Sequence, residues 1–193
     1  MISNILNSKR QVIGATLSEM AGIGALALLF YYLAITDAPK IADIWSVDRV
    51  VAYLLMFAGP LLMFLPLSIA LRLGPLPLLG AISWAGLGYL LIFVSAPQRE
   101  TAGFFDYMLF LGALFCALGT LLAVPAGAVS KRLLPPAASP TADTMRAFRQ
   151  GALVAGAIVA TLAMSPLGVL NWLNAGLVLI IAALTEFFFL ARD

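Results

Sequence analysis

A chain of 193 residues that is 63% hydrophobic and only 10% charged is no ordinary soluble domain, which runs at about 45–50% apolar and about 25% charged. Its mean hydropathy of +1.05 instead predicts an all-α, polytopic membrane protein. The net charge of +2, from 11 basic and 9 acidic residues, is too sparse and too balanced for a nucleic-acid surface.

The absence of histidine excludes bis-histidine haem ligation, histidine-containing zinc sites and a histidine general base. The single cysteine, Cys116, can form neither an intramolecular disulfide nor a CxxC pair. It reads as a small buried hydrophobe.

About 20 apolar residues cross ~30 Å of hydrocarbon, and six runs of that length follow one another along a single membrane domain. The first, 11–35, follows Lys9 and Arg10. It exceeds the h-region of about 7–15 residues in a secretory signal, so it reads as a span and not a leader. Gly14, Ser18 and Gly22 recur in it every four residues, a small-residue face on which another helix can pack closely.

Glu19 interrupts that first run on the order of 12 Å past Arg10 along the helix. It stands beside Ala15 and Gly22. A carboxylate at that depth must be protonated, paired or hydrated. The expectation is a neutral Glu19 that donates to a carbonyl or hydroxyl of a neighbouring helix. The loop that follows, "TDAPKIADIWSVDR", carries three aspartates and reads as a solvated turn with Trp45 anchored at headgroup level.

The second span, 49–71, contains Pro60 near mid-membrane and Pro66 a turn and a half later, and it ends at Arg72. Each proline removes an i→i−4 hydrogen bond, which predicts a bend between Phe57 and Ser68. Arg72 can snorkel outward or turn inward to an acid. The third span, 75–96, is thinned by Gly80, Gly86 and Gly88.

The fourth, 104–129, opens with Asp106, which suits a helix N-terminus. It carries Gly112 and Cys116 four apart, with Ala113 and Ala117 one step round. A proline-rich connector then leads to Ser139 as N-cap, Pro140 at N1 and Asp143 in the first turn, predicting a short helix before the fifth span, 145–164. Arg146 and Arg149 fall near an anionic leaflet. The connector is read as dividing the chain into two parts, between which only "RQ" repeats. The turn "SPLG" introduces the sixth span, 167–191, where Glu186 has Ala182 and Ala183 behind it.

Eight Lys and Arg fall on one side of this arrangement and three on the other, which predicts both termini in the cytoplasm, of a bacterial-type plasma membrane. No nucleophile–base spacing and no phosphate-binding glycine loop is visible. An enzyme is the least supported class, and no cofactor or metal is expected. Short loops and small-residue faces point to a non-catalytic structural or accessory subunit, whose partners are the bilayer and other membrane-protein subunits.

The alternative is a small transporter or substrate-binding component with its site near Glu19 and the Pro60/Pro66 break, since discontinuous helices line transporter sites. Six spans in 193 residues with both termini inside resemble the substrate-binding components of energy-coupling-factor vitamin importers. That likeness is one of architecture across the whole chain, carries no motif and assigns no family.

Overall fold

The computed structural model describes residues 2–36, 44–94, 103–133, 139–165 and 168–191, with side chains described from Ile13 onward except that of Pro140. Among these residues the chain is entirely helical: α1 (Ile2–Ile35), α2 (Val47–Leu71), α3 (Leu76–Phe93), α4 (Phe104–Leu133), α5 (Pro140–Met164) and α6 (Trp172–Leu190). Each of the six is long and apolar enough to cross a membrane, the architecture of an integral, multi-pass membrane protein.

The helix ends differ from the apolar runs where polar residues extend or cap a helix. α1 starts at Ile2, because "ISNILNSKRQVI" contains no glycine or proline to stop it. α4 continues to Leu133 with Lys131 and Arg132 in its last turn, where cations suit the helix dipole. α5 is one continuous helix from Pro140, so the expected short helix and the span are a single element. Its N-cap is Ser139, whose Oγ accepts from the Ala142 N–H at 3.2 Å.

α6 begins at Trp172, five residues later than its apolar run. Asn171 caps it by accepting the Asn174 N–H at 2.8 Å, and Asn174 Nδ2 donates to the Val169 carbonyl at 2.6 Å. α2 runs unbroken from Val47 to Leu71 with Pro60 and Pro66 inside it.

The helices form two compact units, Met1–Ser95 and Ala96–Asp193. The boundary therefore lies between α3 and α4 and not at the proline-rich connector. The reason is packing: α4 and α5, on either side of that connector, are interlocked.

In the first unit, α2 packs against both α1 and α3. Leu29, Ala52 and Met56 form its buried centre, ringed by Leu26, Leu33, Leu55, Ala85, Ile92 and Phe93. The α2–α3 link is tight. Arg72 adopts the left-handed conformation (φ 51°) as the α2 C-cap, and Leu73 and Leu76 on either side of the turn are the largest fully buried side chains.

In the second unit, Ala117, Thr120, Ala123, Gly127 and Ser130 of α4 are buried, as are Ala147, Gly151 and Ala155 of α5. A Cβ on Gly151 would stand 2.6 Å from the Ala123 nitrogen and 2.7 Å from the Gly119 oxygen. Backbone meets backbone there, the approach that small residues make possible within a membrane. α6 has no buried residue.

Candidate functional site

The polar chemistry of the first unit gathers where α1 crosses α2. Pro66 has no N–H, so the carbonyl four residues earlier, that of Leu62, loses its helical partner. Ser18 of α1 supplies one: its Oγ donates to the Leu62 oxygen at 2.8 Å. Hydroxyls on neighbouring helices are one of the means by which proline is tolerated in hydrocarbon.

One turn along α1, a Cβ on Gly22 would lie 2.9 Å from the Gly59 oxygen and from the Met63 nitrogen, and one on Gly59 would lie 2.7 Å from Leu26 Cδ2. Pro60 and Pro66 are both buried. Three threonine hydroxyls of the second unit bond instead to carbonyls of their own helices, Thr120 to Ala117, Thr161 to Ala157 and Thr185 to Ile181.

Ser18→Ala should therefore cost about 1 kcal/mol, the usual worth of one hydrogen bond. In a Pro66→Ala background the restored N–H can take the Leu62 carbonyl, so the same change should cost much less. Thermal unfolding of the four proteins in detergent measures the difference. Equal costs in the two backgrounds would refute the assignment.

Glu19 sits one step round α1 from this contact. Its side chain is exposed, as are those of Thr16 and Ile23, one turn before and one turn after it. Among the described residues no hydrogen bond or ion pair engages it; α2 receives Ser18 and Gly22 instead. Arg72 is exposed at the C-terminal end of α2.

Of the remaining small residues singled out by spacing, Gly14 and Gly112 are exposed with nothing within 4 Å of a notional Cβ, and Cys116 is also exposed. The close approaches are made by Gly22, Gly59, Gly80, which faces the Phe64 ring, and Gly151; Gly59 and Gly151 were not evident from the sequence. Ala147, Gly151 and Ala155 do recur every four residues, a signal of the same kind as that in α1.

Glu186 is the centre of a polar clasp between α5 and α6. Arg149 Nε lies 3.3 Å from its Oε2 and Nη2 lies 3.4 Å from its Oε1, while Gln150 Nε2 donates to Oε1 at 2.8 Å. The Arg149 guanidinium also covers the Phe189 ring at 4.8 Å. The pair escaped the sequence reading, which set Arg149 against the leaflet. Matching its depth near the start of α5 to that of Glu186 near the end of α6 would have found it.

A second unforeseen polar group lies at the other end of the first unit from Arg72. The Tyr32 hydroxyl donates to Asp48 Oδ1 at 2.6 Å, joining the end of α1 to the start of α2. The buried Arg49 places its guanidinium 4.9 Å from the Phe93 ring centre. Phe93 meets Tyr53 edge to face and Tyr89 at a tilt, so a cation and three aromatic rings gather at this end of the unit.

Among the described residues no group of three acidic or cysteine side chains is placed to hold a metal ion. The aspartates at 37 and 43 and Lys40 in the first loop, and most of the proline-rich connector, lie outside the described residues. Comparison of the chain with protein-family models, curated proteins and solved structures finds no match.

Proposed function

We propose that the chain is a non-catalytic integral membrane subunit that packs within a larger membrane assembly, with both termini on the cytoplasmic side of a bacterial-type plasma membrane. The observation that carries this reading is the exposed carboxylate of Glu19, inside the apolar stretch Ile13–Ile35. An acidic side chain near the centre of a span costs roughly 3 kcal/mol on insertion scales when it has no partner. A neighbouring protein that presents a hydrogen-bonding group at that depth removes the cost.

The alternative, a transporter whose site lies at the α2 prolines, would turn freed carbonyls toward a cavity. The Ser18 bond to the Leu62 carbonyl and the burial of both prolines favour packing over ligation there. Purification in mild detergent tests the reading: at least one further membrane protein should accompany the chain in fixed ratio, and isolation of the chain alone would overturn it.

The orientation rests on the distribution of Lys and Arg along the chain, since basic residues favour the cytoplasmic side.

In a Cys116→Ala background, cysteine at Ala42 should react with an impermeant thiol reagent added outside sealed cells, whereas cysteine at Ala138 should not. The reverse pattern would invert the topology. Both positions lie outside the described residues, so the expectation comes from charge alone.

A further inference from the structure

The second unit is held together in two unlike ways. α4 and α5 interlock by backbone contact at Gly151, where any side chain would strike the backbone of Gly119 and Ala123. α6 contributes no buried residue, yet at its C-terminal end it carries the carboxylate that accepts from both Arg149 and Gln150. The link before it, residues 168–171, has Gly168 at φ +71° and ends in the Asn171 cap. α6 therefore starts afresh after a break in the helical backbone.

Apolar side chains gain little by leaving lipid for another apolar helix, so association within a bilayer depends on close packing and on polar contacts. For α6 the first is weak and the second is concentrated at one carboxylate. The two charges are only 22% and 19% exposed, less screened by solvent than a surface pair, and hydrogen bonds between charged groups are about twice as strong as neutral ones.

We infer that α6 is a latched helix. The Arg149–Glu186 clasp, and not apolar interlocking, sets its position on α5, and breaking the clasp lets α6 swing about residues 168–171. The device gives the second unit two arrangements whose balance is governed by the charge on one acid and one base. It is independent of which protein, if any, covers Glu19.

Spin labels at Val154→Cys on α5 and Ile181→Cys on α6, both exposed positions, report the separation in the full chain, reconstituted in lipid nanodiscs with Cys116→Ala. The parent should give one narrow distance distribution. Glu186→Leu should move the majority of the population to a broad, longer distribution. The charge-reversed pair Arg149→Glu/Glu186→Arg should recover the narrow one, and Gln150→Ala, which leaves the ion pair, should retain it. A Glu186→Leu protein with the parent distribution, or a reversed pair as broad as Glu186→Leu, would overturn the proposal. So would Gln150→Ala broadening it as far as Glu186→Leu does.

Discussion

Gly151→Leu should separate α4 from α5 and produce the largest loss of stability of any single change in the second unit. The atoms that a Cβ would meet, at 2.6 to 2.9 Å, are the Ala123 nitrogen, the Gly119 oxygen and the Ala123 Cα. All three belong to backbone and cannot rotate aside as a side-chain tip would. Overpacking a close contact usually costs about 1–3 kcal/mol, and a site walled by backbone falls at or above the top of that range.

Gly14→Ala is the matched control. Nothing lies within 4 Å of its Cβ position, and alanine exceeds glycine in helix propensity by about 1 kcal/mol, so this change should be neutral or slightly stabilising. Thermal unfolding of the purified variants in detergent measures both. A Gly151→Leu protein that melts with the parent would show that the α4–α5 crossing lies elsewhere.

The contrast between these glycines shows how far spacing alone could be read. In α1 the four-residue stripe Gly14–Ser18–Gly22 contains two residues on the α2 contact and one that is exposed. Four residues advance a helix by about 40° beyond one full turn, so such a stripe drifts off a straight contact within two steps. In α4 the stripe of Gly112 and Cys116 is exposed, while Gly119 and Ala123, each seven residues further on, meet Gly151. Spacing identifies a face but not the height at which a partner crosses it.

The six spans were legible because length and hydropathy follow from bilayer thickness, and the start of α5 because Ser139, Pro140 and Asp143 each suit one cap position. The Arg149–Glu186 and Tyr32–Asp48 contacts were not. Each joins residues on successive helices that share a depth only once both helix ends are fixed. The boundary between the units was misplaced for a related reason: prolines mark a connector, but the helices on either side of it can still interlock.

Replacing Glu19 should have the largest effect on assembly. On the proposed reading the side chain, in its neutral form, donates a hydrogen bond to another membrane protein. Glu19→Gln keeps a donor at the same place and should be nearly silent, whereas Glu19→Leu removes it. The loss is on the order of 1 kcal/mol for the bond itself and more where the partner's acceptor is left buried and unsatisfied, a fall of roughly fivefold or greater in retained partner. If Glu19 carried protons or a cationic substrate, glutamine could not ionise, and Glu19→Gln would assemble normally while losing all transport. That outcome would promote the transporter and displace the structural reading.

The most direct measurement places a photo-crosslinking amino acid at Ile23, an exposed position one turn from Glu19, and irradiates intact membranes. The account predicts a discrete adduct with a second membrane protein, lost in Glu19→Leu and kept in Glu19→Gln. Adducts confined to lipid or to the chain itself would contradict it.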